Sequence, residues 1–425
     1  MISLASIWRP AMDLTPLLVL MAVVSPLKAQ RGAEASKSPG PSSGWSMPSP
    51  VIGVPPGSAL KWPSAAQFGE TVYVSGNVLP TTRLRSGPHP MMILRAPGAP
   101  LELPVGNFEF AYPKGVFDSK GVYHLVWGEP ANPDSVTWRY GALITSLWHA
   151  AFEHGHWGAP SKIIDAVSVH WSTEAGSMAV DSRDRLHIVA PTEIRPGAVV
   201  LLHSVSGHPA WIHHEIPWPT AYASIVAWRR DSLVVCFAGA DPSRRGDVNS
   251  LFITISADGG STWSSPELLS HGANRVAVAP LMIVAASGEL DLVTGQFGQG
   301  GGSIDVLKRW RSHDGGRNWL PLHDAPLNRA QVIRFVAMST RCGVLEAVVE
   351  SLMVEGNVLR PVLDEVRWDG DRATTTQLFV DFRAATSAAL SGDGDRIRLI
   401  AAVANPPATS VGTVTTIRQE CPPEH

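Results

Sequence analysis

Cysteine is nearly missing from this chain: Cys236, Cys342 and Cys421 are the only three in 425 residues. Three are too few for a disulfide framework, and an odd count leaves at least one thiol free. Charge is sparse as well. Charged residues make up 17%, and a formal net charge of -3 with a pI near 6.6 provides no basic field of the kind that holds nucleic acid or anionic lipid. Neither partner is expected. The apolar run from Leu14 through Val24, broken by Thr15 and Pro16, falls short of the roughly 20 residues a membrane-crossing helix needs, and no later segment reaches that length. No membrane insertion is expected. The chain also lacks a His-Glu-x-x-His pair. Its glycine run Gly298-Gln-Gly300-Gly-Gly302 has no Lys-Ser/Thr to make a phosphate loop. No cofactor is expected.

What the chain has is Gly (38), Pro (35) and Trp (15) within a 44% hydrophobic composition, which suits many short strands and tight turns better than helices. The fold class is all-β. Residues 1–29 read as a secretion signal, with Arg9 before the apolar run and Leu27-Lys-Ala29 at the cleavage site. Asp13 and Lys28 are atypical for such a signal, and a start at Met12 is the alternative. A secreted or periplasmic monomer is expected. Residues 30–58 form a Ser/Pro/Gly-rich leader, as in "SKSPGPSSGWSMPSP", without periodicity.

From about Ala59 a repeating grammar begins: apolar strand, small polar turn, apolar strand. Seven such hairpins turn at Gly69, Ser119, Asp184, Asp231, Gly288, Gly343 and Asp393, about 50 residues apart. Two turns downstream of hairpins are nearly identical. One reads Ser256-Ala-Asp258-Gly-Gly260-Ser-Thr262-Trp263, the other Ser312-His-Asp314-Gly-Gly316-Arg-Asn318-Trp319. The aspartate is expected to accept hydrogen bonds from backbone two residues on, the glycines to supply positive φ, and the tryptophan to anchor the turn in apolar surface. Trp157, Trp211, Trp263 and Trp319 lie 54, 52 and 56 residues apart, so degraded copies of the turn are expected before Trp157 and Trp211, with His154 and His208 in the place of Gly260. Histidine is among the residues tolerated at positive φ.

The pattern Ser-x-Asp-x-Gly-x-Thr-Trp resembles the Asp-box, the repeat of bacterial neuraminidases and of the wider sialidase-like families. The resemblance covers roughly residues 59–418, leaving 419–425 as a tail, and is strong only at the two intact boxes. It implies a β-propeller of four-stranded antiparallel blades. The hairpins number seven, while sialidase-like domains typically have six blades. The last repeat shows no clear fourth strand, and a segment near Val51 to Val54 is a candidate to supply it from the other end of the chain. A Cys342 to Cys421 bridge is conceivable, whereas Cys236 falls inside an apolar strand and is expected to be buried and inert.

The boxes (Ser256, Asp258, Gly260, Thr262, Trp263; Ser312, Asp314, Gly316, Trp319) are expected to be structural. Counting back about ten residues from each hairpin turn reaches the expected channel mouth at Tyr112, Glu174, Tyr222, Arg334 and Arg383, with Arg275 slightly further out. Retaining sialidases are similar in kind: an arginine cluster clamps the substrate carboxylate and a tyrosine backed by a glutamate attacks the anomeric carbon. The resemblance therefore implies Tyr222 with Glu174 as the catalytic pair, and Arg275, Arg334, Arg383 and Tyr112 as substrate-binding residues. The family's early Phe/Tyr-Arg-Ile-Pro motif is absent, and Arg83 and Arg85 stand in a Thr/Ser/Pro-rich loop instead. Activity is thus open between an exo-acting hydrolase, a glycan binder without catalysis, and a noncatalytic scaffold that docks a protein at the channel face. His154 and His156 alternate like two metal ligands on one strand face, with His149 nearby, but turn geometry accounts for His154. Asp393-Gly-Asp395 lacks the later ligands of a calcium loop. No metal is expected.

Overall fold

A computed structural model of the chain describes residues 49–50, 58–69, 71–80, 91–96, 101–102, 113–130, 138–139, 142–168, 176–195, 198–207, 210–218, 220–240, 250–271, 280–285, 287–297, 304–329, 331–341, 344–355, 358–370, 372–380, 388–393, 396–405 and 408–417. Among them there is no helix; the described elements are strands joined by turns. The protein is an all-β propeller built of four-stranded antiparallel units.

The strands follow one another in groups. The first group is Ser58–Phe68, Thr71–Pro80, Met91–Ala96 and Leu101–Glu102. The second is Lys114–Phe117, Tyr123–Pro130, Ala142–Glu153 and Ser161–Ser168. The third is Ser177–Val180, Leu186–Arg195, Ala198–Val205 and Ile212–Ile216. The fourth is Thr220–Trp228, Ser232–Gly239, Ser250–Ser256 and Glu267–Ser270. The fifth is Leu281–Val284, Leu290–Phe297 and Ile304–Ser312, edged by Leu320–Pro321 and Ala325–Arg329. The sixth is Gln331–Arg341, Val344–Glu355, Val358–Asp369 and Arg372–Val380. The last is Ala388–Asp393, Arg396–Asn405 and Ala408–Ile417, to which Ser49–Pro50 adds a fourth strand by pairing with Thr413 and Gly412. The second and third groups share one backbone pairing, Val167 opposite Thr192, and so join into a single larger sheet. The first strand of each group touches the first strand of the next, and that of the last group touches that of the first, so the described inner strands close a ring.

The reason so many strands read as unbroken apolar runs lies in this stacking. Ser232–Gly239 is buried along nearly its whole length. A strand's side chains alternate between its two faces. Leu233, Val235 and Phe237 pack with Val189 and Leu201 of the third group, whereas Val234, Cys236 and Ala238 pack with Met282, Leu290 and Leu292 of the fifth. Both faces are interfaces, so neither is polar. Cys236 is buried as a free thiol and burial pushes its pKa up, the inert state expected of it. Cys342 and Cys421 lie outside the described residues.

Polar clasps tie the seams at their edges. Asp184, at φ 61°, accepts from the Ser119 backbone N–H at 2.9 Å and pairs with Lys120 at 3.0 Å. One group further on, the equivalent Asp231 pairs with Arg183 at 2.7 Å, and one further again the Gly288 carbonyl accepts from Trp228 Nε1 at 2.7 Å. The same turn position thus reaches back to the preceding group three times in succession.

The two intact boxes join third to fourth strands and fold alike. Ser256 Oγ accepts from the Gly260 N–H at 2.8 Å and donates to Asp258 Oδ1 at 2.8 Å; Ser312 does the same with Gly316 and Asp314 at 2.8 and 2.9 Å. The aspartate reaches four residues on rather than the expected two, accepting from the N–H of Thr262 and of Asn318, both at 2.9 Å. The serine takes the nearer N–H groups, which leaves the longer carboxylate to span the loop. Both box glycines have positive φ, and each turn lies on the preceding group: Gly260 faces His203, and Gly315 faces the Trp228 ring. Trp157 follows a different turn. His154 (φ 50°) and Gly155 (φ 86°) form a two-residue hairpin bend, with Glu153 opposite His156. Histidine does take positive φ there, but in a shorter loop than the box register implies.

Candidate functional site

The first strands of the second to fifth groups line a cavity of about 440 Å³ facing the axis of the ring. Its walls include Met178, Val226 and Met282, with Lys114, Ser177 and Ser224 as the polar members. Ser224 Oγ is engaged as acceptor of the Met282 N–H at 3.1 Å. Lys114 carries the only charge among the described lining residues, and its side chain has neither a hydrogen bond nor an ion pair among the described residues. Enclosure by protein lowers its pKa to about 8, since the ammonium loses hydration without gaining a counter-charge. The neighbouring Gly115 is where Tyr123 crosses the strand: a Cβ there would meet the Tyr123 hydroxyl at 1.9 Å. Its backbone N–H donates to Ser64 Oγ of the first group at 3.2 Å, which fixes the strand that carries Lys114.

A second polar feature repeats in the seams. In the third group Asp181 Oδ2 lies 3.1 Å from His187 Nε2, and His187 Nδ1 lies 3.0 Å from His203 Nε2. The second group repeats it, with Asp118 Oδ2 at 3.6 Å from His124 Nε2 and His124 Nδ1 at 3.0 Å from His149 Nε2. Each outer imidazole then meets a tryptophan of the following group edge-on, His149 with Trp211 at 5.4 Å and His203 with Trp263 at 5.1 Å. Burial first, and the adjacent histidine second, lowers the pKa of His149 and of His203 to about 3. These chains hold blades together and do not open onto the cavity. In the fifth group the same place in the sheet holds Asp291, bound by Arg309 Nη2 at 2.8 Å and Arg311 Nη2 at 3.0 Å. A buried polar bridge at this place thus recurs in the second, third and fifth groups, with different chemistry in the fifth.

Of the residues singled out from the sequence, Tyr222 is on the first strand of the fourth group, half-buried against the cluster of Val226, Trp228, Cys236 and Leu251. Arg334 is on the first strand of the sixth group, across from Glu350 in the backbone pairing. Tyr112, Glu174, Arg275 and Arg383 lie outside the described residues, so no distance links the arginines or joins Tyr222 to Glu174. Sequence reasoning passed over Lys114 and the histidine pairs. The pairs had a visible signal: the aligned hairpins put His124 and His187 at the same place, six residues after Asp118 and Asp181. Lys114 had none, because a single lysine starting a strand is ordinary.

No protein-family model and no curated protein matches the sequence. Solved structures do. The chain is similar to a polysaccharide lyase of a new family, an ulvan lyase bound to -[GlcA(1-4)Rha3S]-, with 11% identity over 88% of this chain and 96% of that one at a TM-score of 0.55. It is also similar to the β-propeller domain of the Trilobed protease from Pyrococcus furiosus, with 13% identity over 85% and 96% of the chains at a TM-score of 0.49. A sialidase from Trypanosoma rangeli matches with 14% identity over 86% of this chain and 59% of its own, at a TM-score of 0.42. Glycan-acting proteins thus stand among the structural neighbours of this propeller.

Proposed function

We propose that this chain is a secreted, seven-bladed propeller of the sialidase-like kind that engages an extracellular glycan at the mouth of its channel. The observation that supports this reading most is the likeness to the ulvan lyase along nearly the whole of both chains. Two box turns with the same serine, aspartate and glycine hydrogen bonds agree with it. The ring of first strands supports the count of seven blades. The Ser49–Pro50 pairing with the last group supplies closure by mixed termini. The apolar run after Arg9 supports export.

In this reading Arg275, Arg334 and Arg383 bind a sugar carboxylate, since guanidinium forks are permanently charged and donate bidentately to carboxylates. Tyr222 and Glu174 would carry hydrolysis if the protein cleaves as well as binds. The test is glycan binding followed by thermal shift across sialosides and uronate-containing oligosaccharides, with release of a fluorescent aglycone as the assay for cleavage. Loss of binding in folded Arg334→Ala and Arg383→Ala is the expected result. Unchanged binding in both removes the clamp. No binding to any acidic glycan sinks the glycan reading and leaves a scaffold that docks protein.

A further inference from the structure

Lys114 is a half-buried ammonium among the first strands of four blades, with apolar walls and no carboxylate among the described residues that line the space. A charge held this way is unfavourable unless something pairs it. Elsewhere the same fold does pair its buried charges: Asp291 has two arginines, and Asp181 has Arg185 at 2.7 Å. The clasp lysine Lys120 has Asp184. Among the described residues Lys114 has no such partner, and it lines the cavity. The cavity volume of about 440 Å³ falls within the range of small-molecule sites, which are mostly apolar with a few convergent polar groups. Lys114, Ser177 and Ser224 are such groups here.

We propose that the channel is a binding site for a small carboxylate with an apolar body, which pairs its carboxylate with Lys114 and lays its hydrocarbon against the partly exposed Val180, Leu281 and Ile283. The counter-charge that the described lining lacks is then supplied by the ligand, and the apolar walls select against a heavily hydroxylated one. A carboxylate here has two sources, a short fatty or aryl acid and a sugar acid. The walls favour the first. The lowered pKa of Lys114 agrees with an ammonium that awaits a partner. Arg334, the described member of the arginines proposed to hold a glycan, does not line this cavity, so either reading can fail alone.

The experiment is calorimetric titration of the full chain with octanoate, octanol and glucuronate. Octanoate is expected to bind, with octanol at least tenfold weaker because it offers no charge to Lys114. Glucuronate is expected to be at least tenfold weaker because it offers no apolar body. Lys114→Met keeps the length and apolar character of the stem, so the variant is expected to fold; it should lose octanoate affinity at least tenfold while glycan binding is unchanged. If Lys114→Met fails to fold, Lys114→Gln is read instead with the same expectation. Equal affinity for octanoate and octanol, unchanged octanoate affinity in the folded variant, no octanoate binding by the native chain, or tighter binding of glucuronate than of octanoate each overturns the assignment.

Discussion

Acid should loosen this propeller well before its carboxylates titrate. His203 is fully buried, with His187 on one side at 3.0 Å, His214 stacked at 5.9 Å and the Trp263 ring edge-on at 5.1 Å. Asp181 accepts from His187 Nε2, so the neutral His187 presents Nδ1 as an acceptor and His203 donates to it from Nε2. His203 Nδ1 then has no partner among the described residues, and a proton placed there would be buried without an acceptor. The folded pKa is accordingly lowered to about 3, by burial first and by His187 second, and His149 is lowered to about 3 in the same way. The unfolded chain binds the proton at about pH 6.5. Between those values the unfolded state holds more protons than the folded one, so stability is complete above about pH 6.5 and falls as the pH falls. At pH 5 each histidine removes about 2 kcal/mol, and the two together about 4 kcal/mol. That is a large share of a typical stability of about 5–15 kcal/mol. Lowered carboxylates such as Asp184 and Asp258, at about 2, lose their contribution only below about pH 4, so the window from pH 6.5 to 5 isolates the imidazoles. Urea unfolding followed by tryptophan fluorescence at pH 7.5 and pH 5 measures the difference. The double variant His149→Gln, His203→Gln, which keeps hydrogen-bonding capacity without titrating, should flatten the profile by about 4 kcal/mol. A native chain that loses under about 1 kcal/mol over this range, or a double variant that keeps the full loss, refutes the assignment of these imidazoles as neutral in the fold.

Gly260→Ala should destabilise by about 1–3 kcal/mol more than Gly155→Ala: φ is similar at 90° and 86°, but only at Gly260 does the new Cβ meet a side chain, His203 Cε1 at 2.2 Å. Equal losses in paired urea melts would show that backbone strain alone sets the glycine requirement. Asp291→Ala leaves the guanidinium of Arg309 buried without its anion and should cost about 3–5 kcal/mol in the same assay, whereas a loss below about 1 kcal/mol would show that water compensates. Cys236 should resist alkylation in the folded chain and react at the rate of unfolding, followed by mass spectrometry of its peptide. Rapid labelling in the native protein would contradict its position between the blades.

The all-β class, the fifty-residue period and the two box turns were all present in the sequence, because each depends on interactions within a few residues. Asp258 needs Thr262 and Gly260 needs Ser256, and a loop of that size is written in one stretch of chain. The hairpin turns were legible for the same reason. What the chain order left open is everything that depends on which blade faces which. Cys236 and Val235 are adjacent and both apolar, and only the stacking of sheets sends one to the fifth group and the other to the third. The histidine pairs join Leu186–Arg195 to Ala198–Val205 and Tyr123–Pro130 to Ala142–Glu153, so their neutrality comes from burial between sheets rather than from residue type. Lys114 is ordinary in sequence and becomes singular only when four first strands gather around it, because desolvation is a property of surroundings drawn from distant parts of the chain. Local hydrogen bonding and periodicity therefore set the turns and the strand class, while ring closure alone decided which charges are buried and where a cavity remains.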